Sequence, residues 1–118
     1  MTQHLLFLIG ISFLIVHEMD AIHCKEWRIY PGLSLLSDKA GQLIFVFAHI
    51  PLFFIVFYQL IYISDNNVFI KGFDIFMIVH IGLHLLFMRH RNNEFKDWIS
   101  WTLIIGTGLF GLADLLSC

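Results

Sequence analysis

Four apolar stretches, separated by short polar segments, organise this chain. The longest unbroken one runs from Leu43 to Ile63, LIFVFAHIPLFFIVFYQLIYI. A hydrocarbon core of about 30 Å takes roughly 20 helical residues, so this stretch is long enough to cross it. A second runs from Val68 to Met88, interrupted by Lys71 and Asp74 near its start. A third runs from Trp98 to Leu116 with Asp114 as its only charge. The first begins at Leu5, but its uncharged part ends at Val16. That part rises only about 18 Å as a helix, too little to span. The helix is therefore expected to continue through His17, Glu18 and Asp20 to about Cys24. The pattern predicts an all-α, four-transmembrane-helix bundle forming a single integral membrane domain over 1–118, with helices at about 4–28, 41–64, 68–89 and 97–116.

Composition agrees with this reading. The chain is 58% hydrophobic and 14% charged, with 13 phenylalanines and a mean hydropathy of +0.80. A soluble domain of 118 residues would carry more surface charge. The N-terminal run has no basic flank and no small-x-small cleavage site, so it reads as a helix and not as a signal peptide. Net charge is −2, with no basic run suited to nucleic acid. Lys25, Arg28 and Lys39 lie in the first loop, and Arg89, Arg91 and Lys96 in the third. The positive-inside rule puts those loops in the cytoplasm and both termini on the non-cytoplasmic side. Trp27, Tyr30, Trp98 and Trp101 then form an aromatic belt at the cytoplasmic interface. Cys24 and Cys118 fall near opposite faces and are not expected to pair within a chain.

Seven histidines are scattered through the sequence, but the topology gathers most of them. Measured from the cytoplasmic helix ends, His17 lies roughly 12 Å inside, Asp20 about 7 Å and His49 roughly 10 Å. His84 and His80 lie roughly 7 and 13 Å inside. Three helices thus deliver ionisable groups to one slab of the membrane, where such groups are costly unless paired. His80 and His84 are four apart and share a helix face. On the first helix the residues step in threes, as His17, Asp20, His23 and Glu26. Carboxylate and histidine at such spacing on bundle helices are the ligand pattern of ferritin-like di-iron sites, here richer in histidine. The larger histidine share suits iron, zinc or copper. The stretch also begins like the zinc-protease motif H-E-x-x-H, but Ala21 stands where the second histidine belongs.

The stretches HEMDAIHCKEWRIYPGLSLL, HIPLF, HIGLHLLFMRH and FKDWISW resemble an uncharacterised family of small bacterial four-helix membrane proteins. The family's signature reads H-E-x-D-x-x-H-x-x-E-W-R, and the resemblance covers essentially the whole chain. The chain is more distantly similar to a membrane family named for H-x-x-E-E, matched here by His23 to Glu26, with Trp27 in place of the second glutamate. These resemblances imply a multi-pass protein of the bacterial inner membrane and a metal site. They imply no substrate.

The expectation is a membrane-embedded metalloprotein, an enzyme acting on a hydrophobic or lipid-like substrate that meets the site from the bilayer. His17, Asp20, His49, His80 and His84 would bind iron or zinc. His23 and Glu26, with His90, would complete a second ion or support the first. Glu18 is the candidate general base, although it could instead pair with Arg89 or Lys25. Iron would suit oxidative chemistry and zinc hydrolysis. The alternatives are a b-type haem held by His49 opposite His80 or His84, a metal-free His/Glu acid–base isomerase, metal transport, and a structural ion. Asp114, near the outer end of the last helix, reads as solvated. Thr107 and Gly111, four apart, read as close helix packing.

Overall fold

The computed structural model describes residues 4–117, so Cys118 lies outside the described residues. Four α-helices form a bundle: α1 (Leu5–His23), α2 (Asp38–Tyr62), α3 (Asn67–Leu86) and α4 (Trp98–Ser117). All four are long and apolar enough to cross a membrane. α2 starts earlier than its apolar pattern because Ser37 caps it, its Oγ accepting the Ala40 N–H at 3.3 Å. α1 ends earlier than expected, at His23. There Lys25 takes a left-handed conformation (φ 54°) and the chain tightens into a 3-10 turn, Glu26–Arg28. A left-handed non-glycine residue costs about 1 kcal/mol or more, so other contacts must hold this reversal in place.

α4 lies close against both α1 and α3, and small residues permit it. A Cβ added at Gly111 would come within 3.1 Å of the Asp74 carbonyl oxygen and 3.2 Å of the Met77 side chain. Between these helices the Thr107 hydroxyl donates to the Gly10 carbonyl at 2.7 Å. The core at this level joins Phe7, Ile11 and Leu14 of α1 to Phe73 and Met77 of α3 and to Val56 of α2. α2 is peripheral. Only 11% of its most apolar window is buried, against 28–33% for the other three.

Asp114 departs from the expectation of a solvated charge, being 1% exposed. Its Oδ1 accepts the Phe7 N–H at 3.3 Å, and its Oδ2 lies 3.2 Å from His4 Nδ1. The first turn of a helix leaves N–H groups without intrahelical partners. Asp114 is buried because it serves one of them on α1. His4 Nε2 in turn reaches Asn67 Oδ1 at 2.9 Å, which links this end of α1 to α3.

The close α3–α4 approach predicts a contrast between two glycines. Gly111→Val should lower the unfolding midpoint in detergent, by an overpacking cost of roughly 1–3 kcal/mol. Gly72→Ala, whose Cβ meets nothing within 4 Å, should leave the midpoint unchanged or raise it. Equal losses for the two variants would contradict this packing.

Candidate metal centre

The early end of α1 decides the geometry of the site. Nine residues of continuous helix would separate His17 from Glu26 by about 13.5 Å along the axis. Because the chain reverses at Lys25, Glu26 folds back over the end of the bundle instead of climbing away from it. His17, Glu26, His80 and His84 each then present one ligating atom, and these atoms all lie within 4.8 Å of one another. All four residues are buried: His17 is 0% exposed, Glu26 2%, His80 4% and His84 5%.

The three imidazoles form a triangle. Ring centroids are 4.7 Å apart for His17 and His80, 5.0 Å for His17 and His84, and 4.6 Å for His80 and His84. Their planes stand 74–88° from one another. The Nε2 atoms of His80 and His84 are 3.2 Å apart, and His84 Nε2 lies 3.4 Å from Glu26 Oε1. Ligands at about 2.0–2.1 Å around a tetrahedral zinc are about 3.3–3.4 Å from each other. Two of the observed edges, at 3.2 and 3.4 Å, are already close to that length. Neither ring nitrogen of His17 makes a hydrogen bond, nor does His80 Nδ1, and all three atoms are buried. Buried polar atoms are seldom left so, because each forfeits its bonds to water. The cluster is thus chemically able to coordinate a metal ion.

Neighbouring residues fix the donors. The Tyr30 hydroxyl donates to Glu26 Oε1 at 2.8 Å. Burial alone would push the Glu26 carboxyl up. The bond with His84, the influence of His17 and the Tyr30 hydroxyl together bring it below its ordinary value. Burial, and then the Glu26 charge, push the Tyr30 hydroxyl up, so it remains a donor. Phe95 covers the triangle, its ring 4.8 Å from His84 and 5.5 Å from His17. Phe95 is held by its own N–H donating to Asn93 Oδ1 and by its carbonyl accepting the Trp101 indole N–H at 2.7 Å. The two loops at this end meet through Arg28, which bonds Asp38 and lies 3.7 Å from Glu94.

The other expected site residues stand elsewhere. His49 is half-buried on α2 and outside the triangle. Its Nε2 lies 2.5 Å from Glu18 Oε2, and its Nδ1 lies 2.6 Å from the Phe45 carbonyl, to which it donates. Glu18 thus pairs with His49, and not with Arg89 or Lys25, while its Oε1 reaches to 3.9 Å from His17 Nε2. Asp20 is half-buried with Oδ2 unbonded. His23 is exposed. His90 Nδ1 accepts the Asn92 N–H within a turn. Three contributors escaped the sequence reading. Tyr30 follows Glu26 by four residues, a helix-like spacing, but its pattern reads as an interfacial aromatic. Asn93 and Phe95 carry no signal, because nothing in their spacing says that a loop folds onto the histidines.

The architecture is therefore a hydrophobic four-helix bundle with a buried His/Glu cluster at one end. The chain belongs to the family described as "Family of unknown function (DUF6713)", whose profile matches residues 3–118. No curated protein and no solved structure matches the chain.

Cys24 sits beside the cluster but points to the Glu94 carbonyl and Ser100. Burial, and then the nearby Asp20, push its thiol up to about 11. At pH 7.5 well under a hundredth of it is thiolate, the reactive form. Maleimide should therefore leave Cys24 unmodified in the folded protein and modify it on denaturation, as read by peptide mapping. Modification of the folded protein at the rate of a free peptide thiol would contradict the placement.

Proposed function

We propose that this protein is a multi-pass membrane metalloprotein in which His17, Glu26, His80 and His84 bind one transition-metal ion, iron or zinc. The observation that carries the reading is His17, fully buried with both nitrogens unbonded, facing two imidazoles and a carboxylate at ligand-like separations. An ion there gives each donor a partner and removes the cost of burying them bare. Three neutral imidazoles and one carboxylate suit iron and zinc alike. Tyr30 orients the carboxylate ligand, and such outer partners are commonly worth about 10–100-fold in metal affinity.

The ion, once bound, supplies Lewis acidity for chemistry on a hydrophobic substrate. Glu18, whose Oε1 lies 3.9 Å from His17 Nε2, is the candidate general base. His49 holds that carboxylate in place. The basic residues of the first and third loops favour a cytoplasmic position for this end, with both termini on the opposite side of a bacterial inner membrane.

One observation favours a second reading, a purely structural ion. Four buried protein ligands capped by Phe95 resemble a closed zinc site, whereas catalytic sites keep a position open. The haem alternative has less support. Imidazole centroids 4.6–5.0 Å apart leave no room for a porphyrin between them, and His49 is engaged with Glu18.

Elemental analysis of detergent-purified protein from metal-replete medium tests the reading. Wild type should carry about one ion per chain, and the His80→Ala/His84→Ala double variant less than about 0.2. A folded wild type below that level would overturn the metal site and leave the acid–base reading. Tyr30→Phe should keep the ion but release it to a chelator about 10–100 times more readily. Cobalt substitution then separates the two metal readings. A spectrum that shifts with added azide marks an open position, and an inert tetrahedral spectrum marks a structural ion.

A further inference from the structure

A cleft of about 220 Å³ runs between α1 and α2 beside the metal cluster. Its walls are Ile15 and Met19 on one helix and Val46 and Phe53 on the other, and the polar groups lining it are Glu18 and His49. Met19 is 65% exposed on the outer surface of the bundle, so the cleft opens sideways, where a bilayer would lie. α2 is also the helix least embedded in the bundle. We propose that this cleft binds the hydroxyl end of a neutral long-chain alcohol that enters from the lipid. The proposal rests on the membrane reading above and names the substrate class for the same site.

The occupant's chemistry follows from the polar pair. His49 Nδ1 donates to the Phe45 carbonyl. His49 Nε2 lies 2.5 Å from Glu18 Oε2, so these two atoms partner each other and are not available to an occupant. The remaining walls are apolar, so a neutral head group costs least in this setting. Glu18 Oε2 is occupied by His49, whereas the polar contact of Oε1 among the described residues is His17 Nε2 at 3.9 Å, too far for a hydrogen bond. A carboxyl oxygen in that position accepts from a hydroxyl. A carboxylate head brings no hydrogen to donate to Oε1 and is disfavoured. The apolar walls take the first carbons of the chain. The volume is below the usual 300–1,000 Å³ of small-molecule pockets, so the cleft holds one end of a chain and leaves the remainder in the lipid. Glu18 then stands between the bound hydroxyl and the metal-cluster histidine His17, which places the head of the occupant beside the proposed centre.

Photo-crosslinking of full-length protein in nanodiscs tests this. The probes are three alkyl chains of equal length, with a diazirine a few carbons from a hydroxyl, carboxylate or ammonium head, and metal content is measured on the same samples. The alcohol should label peptides containing Ile15–Met19 and Val46–Phe53, and excess unlabelled alcohol should compete it away. Val46→Trp, which fills the cleft, should lower that labelling about tenfold with metal content unchanged. Glu18→Gln should weaken the preference for the alcohol over the other heads. Labelling spread over all lipid-facing helix surfaces, or labelling that unlabelled alcohol does not compete, would overturn the proposal. So would stronger labelling by the carboxylate or ammonium probe. Cleft labelling in protein that holds no metal would leave the alcohol site standing and remove the metal reading alone. Full metal with no cleft labelling would do the reverse.

Discussion

The rest of the structure depends on one constraint, a histidine buried among histidines. His17 has no exposed surface and no hydrogen bond from either nitrogen, yet two further imidazoles and a carboxylate face it. Bare, such a cluster costs several unmade hydrogen bonds in a low-dielectric interior. With an ion, each donor gains a partner and the same residues bind three separate segments together. α1 supplies His17, α3 supplies His80 and His84, and the reversing loop supplies Glu26.

Much of the surrounding structure places those donors. The left-handed Lys25 lets Glu26 return toward the bundle. The Tyr30 hydroxyl and the Arg28 contacts to Asp38 and Glu94 fasten the first loop against α2 and the third loop. Asn93 and Trp101 hold Phe95 across the rings. At the far end, Asp114 and Thr107 satisfy backbone groups of α1 across the helix interface. These bonds tie α4 closely to α1. α2 contributes little burial and no ligand. Its His49 pairs with Glu18 of α1, which makes α2 the wall of a lateral cleft and not part of the His/Glu cluster.

The four helices were legible because apolar runs of that length have few other solutions. His80 and His84 were legible too, since a spacing of four on a helix forces one face. Their shared depth with His17 followed from counting residues. The role of Glu26 was not legible in the same way. A regular step of three from His17 through Asp20 and His23 suggested one continuous ladder, and a ladder would have carried Glu26 away from His17. The break comes from a left-handed lysine, a conformation that sequence patterns favour at glycine or asparagine. The same break leaves His23 exposed and Asp20 off the cluster, though they share the ladder's spacing. His49 matched in depth but not in direction, because depth along a helix says nothing about which neighbour a peripheral helix faces. Asp114 looked like a surface charge because its partners, a first-turn N–H and His4, lie more than a hundred residues away in sequence.

X-ray absorption at the edge of the bound metal tests the central claim most directly. This account predicts a shell of nitrogen and oxygen at about 2.0–2.1 Å, with outer-shell scattering from three imidazoles and no sulfur. A sulfur ligand at about 2.3 Å, or scattering from one imidazole or none, would contradict it.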